Sequence, residues 1–228
     1  MGSDLKGKVV VVTGASSGIG KVTAELFAGR GARVVAFARS ETRAGREIIA
    51  VRGDASDEKD VDRLFSECES RIGPCDILVN AAGMIDPEHL VRTTAGRWDR
   101  MFAVNVRSIF LTSRRALPKM IERRSGCIVN VASISGVYGP EKFPGFVSYC
   151  ASKAAVIELT EALAVEVKEH GIRVNCVSPG SVDTKMWAQA SGGAPASMTP
   201  EEIAKTILFL ATDDSRPMNG QNLNVYSS

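Results

Sequence analysis

Histidine is nearly absent from this chain of 228 residues. There are two, His89 and His170, and neither has plausible ligand partners nearby, so no metal site is expected. Cysteine is sparse and odd in number: Cys68, Cys75, Cys127, Cys150 and Cys176 sit mostly in apolar runs. That argues against a disulfide framework and for reduced core thiols in a cytoplasmic protein. Neither sign of charge is in excess. The formal net charge of +2 leaves no electrostatic footprint for nucleic acid or a membrane surface. No apolar run is long enough to span a membrane, and the polar start, residues 1–7, does not read as a signal peptide. What is left is an ordinary globular composition, at a length for which one domain, residues 1–228, is the default.

Against that plain background the glycines stand out by position. The run Val9-Val10-Val11-Val12 has no alternation, as expected of a strand buried on both faces of a parallel sheet. It stops at Thr13-Gly14-Ala15-Ser16-Ser17-Gly18-Ile19-Gly20, and a helical pattern comes next with Val22, Leu26 and Phe27 at core spacing. Strand, glycine turn and helix is the context a dinucleotide site requires. Gly14 permits a tight turn, Gly18 lets the backbone approach a pyrophosphate, and Gly20 lets the helix pack close to the strand. The N–H groups at the helix start, from Ser16 and Ser17 through Ile19, then face the phosphates. The competing interpretation is a plain strand-to-helix turn.

Further strands are expected over 33–38, 48–51, 77–79, 128–131, 173–177 and 220–225, and helices over 58–72, 98–123, 148–170 and 200–212. This alternation predicts a doubly wound α/β fold with a mainly parallel sheet. Residues 39–46 are too few for an ordinary parallel crossover, and a turn or two of helix is expected there. The helix over 98–123 should turn Met101, Phe102, Val106, Ile109 and Phe110 inward, with Asn105 among them as a bonded core amide.

Tyr149 and Lys153 lie four residues apart at the head of a helical run, which puts both side chains on one face. A phenol titrates near pH ~10. A neighbouring ammonium should lower that value toward neutrality. Ser133 stands at the carboxyl end of a strand, where doubly wound sheets place their sites, and offers a hydroxyl to a carbonyl oxygen; Ser135 is its rival. Asn80-Ala81-Ala82-Gly83 ends another strand in small residues that leave room for a ribose and adenine. Taken alone, Tyr-x-x-x-Lys equally fits an amphipathic helix with a surface lysine.

Taken together, Gly14-x-x-x-Gly18-x-Gly20 and Tyr149-x-x-x-Lys153 resemble the short-chain dehydrogenase/reductase family, and the resemblance runs over essentially the whole chain. It implies a seven-stranded Rossmann-type sheet and reversible hydride transfer between a nicotinamide and a carbonyl or secondary alcohol. It implies Tyr149 as proton donor and Ser133, three residues before Gly136, as the group that holds the carbonyl oxygen. Lys153 would bind the nicotinamide ribose and Asn105 would support a proton relay. Asp54 and Ala55 would meet the adenine, and the turn Pro179-Gly180, with Val182 and Thr184, would grip the nicotinamide carboxamide. Residues 185–199 would form a lid over a small-molecule substrate. Ala38 stands where NAD-preferring relatives carry aspartate and Arg39 is next, so NADP is expected over NAD, a guanidinium being able to take the extra phosphate in a bidentate way. A homotetramer or homodimer is implied, although Tyr226-Ser227-Ser228 replaces the usual Asp-Gly-Gly tail. The rival function is a dinucleotide-binding sensor without the chemistry; all four catalytic residue types being present in order counts against it.

Overall fold

The computed structural model describes residues 5–140 and 142–226, so Ser227 and Ser228 of the tail lie outside the described residues. Its centre is a parallel sheet of seven strands among those residues: Val9–Thr13 (β1), Arg33–Ala38 (β2), Ile48–Arg52 (β3), Ile77–Asn80 (β4), Gly126–Val131 (β5), Ile172–Pro179 (β6) and Asn222–Val225 (β7). Their order is β3-β2-β1-β4-β5-β6-β7, and every neighbouring pair is parallel. The chain leaves β1 in one direction and β4 in the other, so the carboxyl ends of these two strands flank a crevice, as expected at such a switch point. The sheet is more regular than the mainly parallel arrangement expected from the sequence.

Helices cover both faces. Gly18–Gly29 (α1) and Pro200–Ala211 (α7) pack on one side, where Phe27, Ile203 and Ile207 are fully buried. Glu58–Arg71 (α2) and Ser108–Glu122 (α4) pack on the other, over Leu64, Phe65 and Met120. Because both faces are covered, the central strands need apolar residues at every position. The unalternating valines of β1 are all buried accordingly. Cys68, Cys75, Cys127 and Cys176 are buried and free, and Cys150 is half-buried. No described helix is long and apolar enough to cross a membrane.

Two expectations fail. Residues 39–47 contain no helix: they run as an irregular loop closed by a bridge between Gly45 and Ile48. The segment Ser40-Glu41-Thr42-Arg43-Ala44-Gly45 has no apolar stripe with which a helix could pack, so nothing offsets the cost of forming one. The first three residues of β3 remain half-buried as a result. The helix expected over 98–123 is three pieces: Ala95–Phe102 (α3), a π-helical turn over Ala103–Arg107, and α4. A π turn widens the repeat and rotates α4 relative to α3, so the inward face is re-phased. Met101 and Ile109 are buried as expected, but Phe110 is exposed, with the Arg114 guanidinium 5.1 Å from its ring centroid.

Candidate active site

The glycine turn opens the site. Gly14 has φ +69°, and a Cβ there would lie 2.7 Å from both Ala81 O and Ala82 N. Only glycine allows the turns after β1 and β4 to come this close. Thr13, which sequence reasoning did not single out, locks them further: its Oγ1 accepts from the Ala82 N–H at 3.1 Å. Gly20 packs onto the Gly14 carbonyl with no room for a side chain. Ser17 precedes α1 without capping it, and the first turn carries no acidic residue. The free N–H groups of that turn therefore open on the cavity lined by Ser16, Ser17, Gly18, Ile19 and Gly20, where an anion would satisfy them.

The cavity has a volume of about 940 Å³ and runs along the carboxyl ends of the strands. At one end it is bordered by Ala38, Arg39, Ser40, Asp54 and Ala55. The Arg39 guanidinium is exposed and has no hydrogen-bond partner among the described residues, while its carbonyl accepts from Arg52 Nε at 2.9 Å. Asp54 Oδ1 accepts from the Ser56 N–H at 2.9 Å and the Ser56 hydroxyl at 2.7 Å, which fixes the loop after β3. Asp54 also donates its N–H to Asp60 Oδ2 at 2.8 Å.

Ala81, Ala82 and Gly83 line the middle of the cavity. Asn80 does not. Its side chain is turned into the fold, donating to Asn130 Oδ1 at 2.9 Å and accepting from Thr112 Oγ1 at 2.8 Å, while Asn130 in turn donates to Thr160 Oγ1 at 2.9 Å. The asparagine expected to touch a cofactor instead anchors the turn from behind, in a buried network in which each polar group is satisfied by another.

At the far end Ser133, Tyr149 and Lys153 meet. Ser133 caps the short 3-10 turn Ile134–Gly136, its Oγ accepting from the Ser135 N–H at 3.2 Å. A Cβ on Gly136 would lie 2.5 Å from the Lys153 carbonyl carbon, so this glycine lets the turn press against Val147–Val167 (α5) and brings Ser133 to Tyr149. The Ser133 hydroxyl faces the phenol closely enough to favour its ionised form. Ser135 also lines the cavity, but Ser133 is the serine that acts on the phenol. Lys153 is 4% exposed, and its Nζ donates to Val131 O at 2.9 Å and lies 5.8 Å from the Tyr149 ring centroid.

The expectation that Lys153 would pull the Tyr149 pKa toward neutrality does not hold within the protein's own groups. Burial pushes the phenol up to about 12, opposed by the Ser133 hydroxyl, and pulls the Lys153 ammonium down to about 8. The ammonium spends its bond on a backbone carbonyl rather than on the phenol, so desolvation governs both groups.

Asn105 sits in the π turn, fully buried. Its Oδ1 accepts from Met84 N at 2.7 Å, and its Nδ2 donates to Met84 O at 3.0 Å and Ser152 Oγ at 3.0 Å. Ser152 in turn donates to Tyr149 O at 2.8 Å. A Cβ on Gly83 would lie 3.5 Å from both Asn105 Oδ1 and Lys153 Nζ, so the two groups border the same small space. Ser152 was missed from sequence, though its place three residues after Tyr149 puts it beside that residue's carbonyl.

The turn after β6 closes the site. Gly180 N donates to Val225 O at 2.8 Å, and Val182 is buried against Met198. Thr184 caps the helix Lys185–Ala190 (α6), accepting from Trp187 N at 3.2 Å and donating to Val182 O at 3.2 Å. Pro179, Gly180, Val182 and Thr184 all line the cavity, as does Tyr226, which was not among the expected site residues.

An uncapped helix start beside close-packed glycines, a buried ammonium with one acceptor for its three donors, and a cavity joining them fit a dinucleotide. Comparison with known proteins agrees. The family profile described as short chain dehydrogenase matches residues 8–194. A 3-oxoacyl-[acyl-carrier-protein] reductase from Thermotoga maritima is 36% identical, with 97% of each chain covered. The meso-2,3-butanediol dehydrogenase of Serratia marcescens is 35% identical over 96% of this chain and 92% of its own. Among solved structures, a 3-ketoacyl-(acyl-carrier-protein) reductase from Brucella melitensis, complexed with NADH, superposes with a TM-score of 0.88 at 32% identity, covering 97% of this chain and 98% of the other. A levodione reductase gives 0.89 at 27% identity, with 96% of each covered. Glycine turn, buried Ser–Tyr–Lys cluster and full-length likeness converge: the chain belongs to the short-chain dehydrogenase/reductase family.

Proposed function

We propose that this protein is an NADP(H)-preferring carbonyl reductase, working reversibly on a ketone and its secondary alcohol. The observation that carries the proposal is the meeting of Ser133, Tyr149 and Lys153 at the end of the same cavity that the glycine turn opens. When bound, the nicotinamide supplies the hydride. Tyr149 donates its proton to the substrate's carbonyl oxygen, and the burial that keeps the phenol protonated suits it to that direction. Ser133 donates to the same oxygen as negative charge develops there. Lys153 has donors to spare for the ribose hydroxyls. Asn105, held rigidly between Met84 and Ser152, keeps a polar oxygen beside Lys153 at the small space near Gly83, where a water can resupply protons. Residues 185–199 act as the lid, and the working form is a homo-oligomer of this chain.

The cofactor preference comes from charge. Ala38 puts no carboxylate beside the adenosine ribose, so nothing there repels a 2′-phosphate, and the unpartnered Arg39 guanidinium is placed to pair with one. We expect kcat/KM for NADPH to exceed that for NADH by about tenfold or more, since one charge-assisted contact contributes roughly 1.5–3 kcal/mol. Ala38→Asp should reverse the order by adding repulsion against one cofactor and a hydrogen bond to the other. Steady-state kinetics of both proteins with both cofactors decide it; equal use by the wild type, or an Ala38→Asp variant that still favours NADPH, sinks the assignment.

A further inference from the structure

The cavity changes character along its length. Arg39 and Asp54 border the adenosine end, but beyond Ser133 and Tyr149 the wall is made of Ile134, Phe143, Phe146, Met186, Trp187 and Tyr226. Phe146 stands edge-on to Tyr149, ring centroids 6.1 Å apart, and Phe143 tilts against Phe146 at 5.6 Å. The Trp187 indole N–H already donates to Ala194 O at 2.9 Å, so the ring offers no unmet donor. Tyr226 lies on the Ser133 side: a Cβ on Gly180 would be 3.1 Å from its Cβ and 3.4 Å from Cδ1 of Ile134, the residue after Ser133.

The nearby guanidinium of Arg97 is already paired. Arg97 is paired with Asp86 at 2.6 Å and Glu88 at 3.0 Å, on a loop joined to the Phe143–Phe146 segment by a bond from Glu88 N to Gly145 O. The exposed Lys142 ammonium donates to the Val137 and Ile134 carbonyls and does not line the cavity. Lys185, which lines the cavity, follows Thr184, whose Cγ2 would lie 3.1 Å from a Cβ on Gly18 at the phosphate end. Among the described residues beside Ser133 and Tyr149, this wall offers a substrate aromatic and aliphatic surface, and the Ser133 and Tyr149 hydroxyls are there to meet a polar atom. A second charged group on the substrate would be desolvated there without a partner.

We propose that the substrate is an uncharged ketone whose body is an apolar ring or ring-sized group, and that Tyr226 helps to select it. This rests on the carbonyl-reductase reading above and names its substrate class. Flat aromatic walls bury ring faces well, and one polar point fixes the carbonyl. A free carboxylate or a coenzyme A thioester meets no cation among the six residues of this wall.

The test uses the full chain with NADPH and four ketones: 4-methylcyclohexanone, 4-oxocyclohexanecarboxylate of similar size, α-tetralone and acetoacetyl-coenzyme A. We expect kcat/KM for 4-methylcyclohexanone to exceed that for the carboxylate by about tenfold or more, and α-tetralone to be turned over more efficiently than the thioester. Tyr226→Ala should raise KM for α-tetralone by roughly fivefold with kcat within about twofold, because it removes binding contact and no proton. Preference for the carboxylate or the thioester overturns the substrate class while leaving the reductase reading intact. An unchanged KM in Tyr226→Ala overturns the role of that residue. No turnover of any ketone by a protein that still binds NADPH overturns the reductase reading and this inference with it.

Discussion

Tyr149 and Lys153 show how one environment acts on an acid and a base in opposite senses. Both are buried beside Ser133, and desolvation disfavours the charged form of each, raising the phenol to about 12 and lowering the ammonium to about 8. The phenol keeps its proton at neutral pH, as a donor must. Tyr149→Phe retains the ring and its edge-on contact with Phe146 but removes that proton. Its turnover should fall by at least ~100-fold with cofactor affinity nearly unchanged; near-normal kcat would remove Tyr149 from the chemistry. For Lys153 the sign runs the other way. With its pKa held near 8, part of the protein carries a neutral amine at pH 8.5. A ligand whose oxygens accept from the ammonium favours the charged form and raises its pKa, so binding at pH 8.5 should take up protons. Titration calorimetry of NAD, which lacks a 2′-phosphate that itself titrates at about pH 6, in buffers of differing ionisation enthalpy reads this as a buffer-dependent heat, and the dependence should fade by pH 6.5, where the lysine is already protonated. Equal heats in all buffers at pH 8.5 would show that Lys153 is not linked to the cofactor.

At the scale of elements, what could be read from sequence is what local rules dictate. The four valines of β1, the glycines after them and the capping box of Thr199 and Glu202 at α7 were legible because neighbours in sequence set their structure. The cluster of Ser133, Tyr149 and Lys153 was legible for the same reason, since a helical spacing of four and a strand end place them. The π turn was not, because nothing in Ala103-Val104-Asn105-Val106-Arg107 encodes a wider repeat; it is held in place by Asn105 bonding to Met84. Asn80 misled because a side chain at a strand end can point into the cavity or behind it, and only the partners on β5 and α4 decide. In the segment 185–199, expected as a lid, Trp187 Nε1 donates to Ala194 O, and Asp183 N and Met198 N cross-bond to Met198 O and Ser181 O. These bonds tie its two ends into one unit. Hydrogen exchange should show 185–196 opening together, gaining protection when cofactor and ketone are both bound, and Trp187→Phe should speed that exchange by removing the tie. Equal protection with and without ligands would make the segment a fixed wall.

For the molecule as a whole, the buried thiols carry an alkaline weakness that the charge count does not reveal. Burial raises Cys127 from 9.0 to about 11, Cys68 and Cys176 to about 12, and Cys75 well above its ordinary value. An acid whose folded pKa lies above its unfolded one holds its proton longer in the folded state. From pH 9 upward the unfolded chain releases thiol protons that the folded chain keeps, so stability falls across that window, by about 1.4 kcal/mol per pH unit for each fully linked proton. Lys153 opposes this. Its folded pKa is depressed from 10.5 to about 8, so the unfolded chain binds the extra proton between those values and stability rises with pH there. Tyr149, raised from 10.0 to about 12, joins the thiols above pH 10. One lysine therefore sets a shallow rise up to about pH 8, and four thiols outweigh it beyond. Urea denaturation under reducing conditions should give a stability maximum at about pH 8 and a loss on the order of a few kcal/mol by pH 10.5. Cys127→Ala, which removes one of the four groups, should flatten the alkaline slope by up to one proton. A stability that holds level from pH 9 to 10.5 would mean that these thiols ionise as readily in the folded protein as in the unfolded chain.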